Sequence, residues 1–289
     1  MGSFKKFALS SVSALALPAA LAAILGASPA GATVIFVGSS AYDVEVDLTI
    51  LGGVTATIGP FVQAAGFAPP AYSFIDTLAS ASATADLKTG GVLPLTLATV
   101  GVSTGLVAAS ASSPWPSPPT TTGSSTVDDL SLALRTVGIL PITILDVTAT
   151  TITSTSTASA AIEPYTATGS SSIEDLRISG TALLSPIDIL GTVTPAPNDV
   201  ILNLAGLTIT LNQQIKTVIS GGIAIETNAI AIDFSNFVLG TGLVNGDIIV
   251  ANSFASVPEP ATWAEMLAGF GTVGFLMLGR AKAKKTAAA

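Results

Sequence analysis

Alternation of apolar and polar residues at every second position constrains this chain more than any other feature. In "YDVEVDLTI", Val44, Val46, Leu48 and Ile50 fall on one face and Asp43, Glu45, Asp47 and Thr49 on the other. That pattern predicts a strand buried on one side and solvated on the other. "LTITL" repeats it, with Leu207, Ile209 and Leu211 inward and Thr208 and Thr210 outward, and "NAIAIDF" does so through Ile230, Ile232 and Phe234. Thr, Val and Ile, whose branched β-carbons suit a pleated surface, recur throughout. Between Thr33 and Val257 nothing sustains a helical period over three turns. The expected fold is all-β, an antiparallel β-sandwich with Greek-key or meander connections.

The punctuation suits hairpins. Gly221-Gly222 separates "KTVIS" from "IAIET", and Asn245-Gly246 separates "GLV" from "DIIV". Asn-Gly is a strong hairpin signal because both turn positions need positive φ. The region after Asp199 reads as an antiparallel meander, and Ser113 to Ser125 as a proline-rich exposed loop. "GSSTVDDLSL" from Gly123 and "GSSSIEDLRI" from Gly169 form an internal repeat, and each is followed by a Pro-centred strand, "LPITIL" and "SPIDIL". The repeat, near 123–148 and 169–194, is expected to be a duplicated β-motif in one sandwich rather than two rungs of a solenoid, since solenoids usually need at least about three repeats.

The ends have a different character. Lys5 and Lys6 precede the apolar stretch Phe7 to Leu25, and Ala30-Gly31-Ala32 is an A-x-A-like site. Residues 1–32 therefore read as a signal peptide, its apolar stretch an N-terminal helix, cut by signal peptidase after Ala32 and leaving Thr33 as the mature N-terminus. At the other end Trp263 to Leu278 is apolar except for Glu265, with Arg280, Lys282, Lys284 and Lys285 behind it. Sixteen helical residues span about 24 Å, short of a roughly 30 Å hydrocarbon core. The basic cluster would hold that end on the cytoplasmic side, and Pro258 and Pro260 keep the preceding segment extended. A helix of this length suits a temporary stop that crosses the membrane transiently and is then discarded.

These residues, Pro258, Glu259, Pro260, Trp263, Ala264, then "MLAGFGTVGFLMLGR" ending at Arg280, closely resemble the PEP-CTERM sorting domain over about thirty residues. The resemblance implies recognition by an exosortase, a membrane-embedded processing enzyme of Gram-negative bacteria. It also implies delivery to the cell surface, outer membrane or an extracellular polysaccharide matrix. In the body, "PNDVILNLAGLTITLNQQ", "ETNAIAIDF" and "GDIIVANSFASV", with Asn212-Gln213-Gln214 and Asn228-Ala229 as matching residues, resemble the choice-of-anchor P family. That resemblance implies a secreted β-rich module of unassigned activity over 33–257, followed by the sorting signal at 258–285.

Charge and composition narrow the function classes. The chain carries −8. Six of its ten cations and two of its eighteen carboxylates lie in the two ends, so the body has sixteen carboxylates against Lys88, Arg135, Arg177 and Lys216, a charge of −12. Such a surface repels phosphate backbones and argues against nucleic acid as a partner. Cysteine and histidine are both absent, which removes disulfides, the usual zinc and copper sites, and His-dependent triads.

Three features are candidates for chemistry. The pairs Asp128-Asp129 and Glu174-Asp175, with the column Asp43, Glu45 and Asp47, could supply calcium with oxygen ligands. No D-x-D-x-D-G loop accompanies them, and a solvated acidic edge explains them better. A glycosidase would need two carboxylates beside a sugar platform, but Trp115, Tyr42, Tyr72 and Tyr165 are scattered. In "TATTITSTSTAS", Thr153, Thr155 and Thr157 share one face, and such spacing could bind ordered water or carbohydrate. The β-preference of Thr explains the same letters. The expectation is a secreted surface or matrix protein with a structural or adhesive role, no enzyme, no cofactor and no metal, with exopolysaccharide as the candidate partner. An exported carbohydrate-active hydrolase or glycan-binding protein is the alternative, and a membrane protein whose tail is never cut is a third.

Overall fold

The computed structural model describes Val37 to Pro258 except for residues 52, 54, 69, 91–94, 115–119, 139, 161–164, 220–221 and 241. Both expected helices, the signal segment and the sorting segment, lie outside the described residues. Every regular element within them is a β-strand, and all the strands pair antiparallel in two sheets. In the first sheet, β12 (Asp199–Leu204), β13 (Leu207–Ile219), β14 (Gly222–Leu239) and β15 (Gly242–Pro258) form the expected meander. The sheet continues from β15 to β1 (Val37–Ile50), whose other side carries β2 (Thr55–Ile58) and β3 (Gln63–Ala68).

The second sheet joins β4 (Tyr72–Leu78), β5 (Ala81–Lys88), β6 (Thr96–Thr104), β7 (Val107–Ser113), β8 (Thr120–Thr136), β9 (Thr143–Ser159), β10 (Thr166–Ser179) and β11 (Ile187–Val193). β6 and β7 both pair with β8 in one unbroken register, from Ala98↔Thr136 to Ser112↔Thr122. They act as a single long strand interrupted at Gly105-Leu106, so hairpins follow one another across the whole sheet. Thr120 to Ser125, expected in the proline-rich loop, belong to β8, where Thr121 and Ser125 are buried.

The internal repeat has a geometric meaning. β8 and β10 flank β9 in matching register: Ser156 pairs with Gly123 on one side and Gly169 on the other, and Thr151 pairs with Asp128 and Glu174. The two copies are parallel-running strands related through the strand between them. Each copy bends at its second acidic residue, Asp129 (φ 49) and Asp175 (φ 51), a left-handed conformation that Asp tolerates better than most residues. The bend shifts the alternation, so the buried pairs Val127/Leu130, Ala149/Ile152 and Ile173/Leu176 are separated by three positions instead of two.

The first sheet bends at the same level. Tyr42, Asn252, Asn228 and Gln213 pair in one row and Val44, Val250, Ile230 and Leu211 in another. Between those rows lie Asp43, Ala251 (φ 52), Ala229 and Asn212 (φ 49). Asp43 therefore turns inward and is fully buried, contrary to its expected place on the solvated face with Glu45 and Asp47. Its Oδ1 accepts hydrogen bonds from the amides of Phe61 (3.0 Å) and Val62 (3.3 Å).

This line of bends divides the interior. On one side Leu48, Leu132, Leu134, Leu145, Ile178, Ile209 and Ile232 make an aliphatic core. On the other the sheets meet through small and hydroxyl residues. Ser156 Oγ lies within hydrogen-bond distance of Thr227 Oγ1 (2.8 Å) and donates to the Ser253 carbonyl (2.9 Å), and Thr121 donates to the Ser256 carbonyl (3.1 Å). Ser125, Ser154 and Ser171, side by side on β8, β9 and β10, are buried with no hydrogen-bond partner for their hydroxyls.

Asn245-Gly246 is not a hairpin turn. Both residues lie within β15, and β14 reverses earlier, with Leu239 opposite Gly242. Asn245 Oδ1 accepts from the Asn236 amide (2.8 Å) at a bulge in β14. A β-carbon at Gly246 (φ 122) would collide with the Asp47 carbonyl, so glycine is demanded here by a neighbouring strand. The hairpin expected at Gly221-Gly222 is present one position earlier: β13 and β14 close with Ile219 opposite Gly222.

Candidate binding surfaces

The threonine-serine run of β9 gains partners from its neighbours. On the outer face of the second sheet, Ser73, Ser112, Thr122, Thr157 and Thr168 form one row across five strands. The next row holds Ile75, Ser110, Ser124, Thr155 and Ser170, and the third Thr77, Ala108, Thr126, Thr153 and Ser172. Hydroxyls thus repeat about 4.8 Å apart across strands and about 6.8 Å apart along them. Several are tied together: Thr120 to Ser159 (3.2 Å), Thr122 to Thr157 (3.4 Å) and Ser124 to Thr155 (3.3 Å). No charged side chain falls in these rows. The carboxylates of Asp128, Asp129, Glu174 and Asp175 border them at the line of bends.

The outer face of the first sheet is its electrostatic opposite. Asp47, Asp247 and Asp233 stand directly beside one another on β1, β15 and β14, an arrangement of like charges that works against pairing. Above them an amide ladder runs across the strands. Asn252 Nδ2 donates to Asn228 Oδ1 (2.7 Å) and Glu226 Oε1 (2.8 Å), and Asn228 Nδ2 donates to Gln213 Oε1 (2.8 Å). Gln213, Glu226, Asn228 and the three aspartates, with Tyr42 and Glu45, line a depression of about 320 Å³. Burial, then the charges of Glu45 and Glu226, push the Tyr42 hydroxyl far above its ordinary range. Burial and the neighbouring Asp233, Asp47 and Glu45 raise Asp247, while burial alone raises Asp233 and also outweighs the amide bonds at Asp43.

The sign of the resulting pH dependence follows. A carboxyl whose folded-state pKa is raised contributes stability that is complete below the unfolded value and disappears as pH rises through the folded value. The body is therefore expected to unfold at a higher temperature near about pH 4.5 than near about pH 8. Asp247→Asn should flatten that slope and stabilise the neutral protein by up to about 1 kcal/mol. Thermal unfolding followed by circular dichroism checks both; a midpoint that rises steadily with pH would contradict them.

The residues singled out in the sequence are distributed as follows. Ala30, Ala32, Thr33, Glu259, Pro260, Trp263, Ala264 and Arg280 lie outside the described residues, as does Trp115; Pro258 is the last residue of β15. Of the acidic column, Glu45 and Asp47 reach the outer depression and Asp43 does not. Asp128-Asp129 and Glu174-Asp175 shape the bends: Asp175 Oδ1 accepts from the Gly191 amide (2.7 Å), and the Asp128 carbonyl accepts from the Gly105 amide (2.8 Å). Among the described residues no group of three or more acidic side chains is placed to hold a metal ion. Sequence reading missed the carboxylate row because its members come from three strands far apart in the chain. Compared with protein families, characterised proteins and solved structures, the chain matches none.

Proposed function

We propose that this chain is exported, cut at both ends, and sorted to the cell surface or extracellular matrix by an exosortase-type enzyme acting on its Pro-Glu-Pro signal. Its body is then a β-sandwich with a structural and adhesive role. The observation that carries this reading is the position of β15. It is an internal strand of the first sheet, held between β14 and β1, and it stays paired up to Pro258, opposite Gly222. The sorting motif thus starts where the paired body stops. β1 begins at Val37, four positions after the expected mature N-terminus at Thr33, and Gly38 pairs with Ser256. Both cuts would fall at one end of the body and would leave every described strand in place, as a durable matrix component requires.

Replacing Pro258, Glu259 and Pro260 by alanine tests this directly. The variant is expected to remain full length in the inner membrane while the parent chain reaches the surface. A variant trimmed and exported like the parent would overturn the reading. The alternative, an exported carbohydrate-active hydrolase, is favoured by one observation: Tyr42 and several carboxylates share the outer depression. Hydrolysis of a polysaccharide by the purified chain, lost in Glu226→Gln or Asp247→Asn, would establish it; no hydrolysis by the parent chain would dismiss it.

A further inference from the structure

We infer that the hydroxyl-coated outer face of the second sheet is the adhesive surface, and that its ligand is an uncharged polysaccharide lying across the strands. The inference rests on the surface-protein reading above and names the partner class for it. The ligand must be neutral. The rows of Thr and Ser offer no charge to pair with, and the carboxylates at their border repel an anionic chain in a body already at −12. A polycation would be drawn instead to the aspartate row on the opposite sheet.

The chemistry of the face suits sugar. Each hydroxyl has one donor and two acceptor positions, so the lateral bonds from Thr122 to Thr157 and from Ser124 to Thr155 fix rotamers while leaving capacity directed outward. Ordering is therefore largely in place before a ligand arrives, which lowers the entropic cost of binding. Threonine methyls between the hydroxyls present the mixture of C–H and O–H that a pyranose ring presents in return. The aromatic rings at the sheet edge belong to the other face, since Phe74 pairs with the buried Ala111 and the Tyr72 hydroxyl reaches the buried Ser39 of the first sheet. Phe74 stacks on Tyr72 with ring centroids 5.9 Å apart, and both line a groove of about 590 Å³ with Phe67.

Location agrees with this. The face occupies the half of the body on the same side of the bends as Gly38 and Ser256, since Thr121 bonds Ser256 across the sheets. That is the end at which both proposed cuts fall.

The test uses the full chain purified in a sugar-free non-ionic detergent, with amorphous neutral β-glucan as the probe and alginate as the anionic control. The parent chain is expected to sediment with the glucan and not with alginate. The combined variant Thr122→Val, Thr155→Val and Thr157→Val keeps the branched β-carbons and removes only hydroxyls. It should bind on the order of tenfold more weakly at unchanged thermal midpoint. Phe74→Ala, on the opposite face of β4, is the control and should leave binding unchanged, and a loss there equal to that of the triple variant would overturn the assignment of the face. Equal retention of parent and triple variant would overturn the assignment of this face. A parent chain that ignores the glucan but inhibits ice recrystallisation would overturn the ligand in favour of ordered water. Neither result depends on how the chain is sorted in its host, so failure here leaves the sorting experiment independent.

Discussion

Gly123→Ala is expected to destabilise the protein by about 3 kcal/mol, the upper part of the usual range for overpacking. A methyl group at that position would meet the Ser40 carbonyl oxygen and lie 2.6 Å from the Phe254 carbonyl oxygen. Those atoms belong to β1 and β15, neighbouring strands whose backbones are hydrogen-bonded to each other. Neither can retreat alone, so relief requires the sheets to part along the half held by Ser156, Thr227 and Thr121. The thermal midpoint should fall on the order of 10 °C. Gly138→Ala is the control, because a β-carbon there meets nothing within 4 Å, and it should change stability by less than about 0.5 kcal/mol. Equal midpoints for the two variants would contradict the close approach of the sheets.

The second large effect comes from the division of the interior. Leu132 is fully buried in the aliphatic half, and Leu132→Ala should cost about 2–5 kcal/mol through lost transfer energy and the cavity left behind. Ser154 is equally buried in the other half, yet its hydroxyl has no partner. An orphaned hydroxyl in a dry setting opposes folding by about 1–3 kcal/mol, so Ser154→Ala should be neutral or stabilising. Urea denaturation of both variants separates the cases. A loss at Ser154→Ala comparable to that at Leu132→Ala would mean that the serine row is satisfied and that the two halves do not differ.

Much of the fold was legible because period two is a local signal. Val44 to Ile50, Leu207 to Leu211 and Ile230 to Phe234 turn their apolar residues inward as the alternation requires. The bends were also written in the sequence, as two acidic residues in succession between apolar ones in "VDDL" and "IEDL". That doubling breaks the alternation by one position, and its recurrence 46 residues later places both copies on strands in matching register around β9. What a linear reading lacked was the partner. Asp43 looks solvated until the matching bend in β15 at Ala251 turns it inward, and Asn245-Gly246 looks like a turn until β1 presses on Gly246.

The same limit applies to the surfaces. Thr153, Thr155 and Thr157 alone are ordinary strand residues. Their significance comes from Thr122, Ser124 and Thr126 on one side and Thr168, Ser170 and Ser172 on the other. Strand pairing, which is non-local, turns a threonine run into an area. Asp47, Asp233 and Asp247 are likewise unremarkable singly and form a row only once β1, β14 and β15 lie together.

Intact-mass spectrometry of the protein recovered by fraction from its native host tests the central claim most directly. The expected result is a species beginning near Thr33 and ending near Pro258, found at the outer surface or in the medium. A species still carrying Trp263 to Lys285 in the inner membrane would contradict processing and sorting, and would make the tail a permanent anchor.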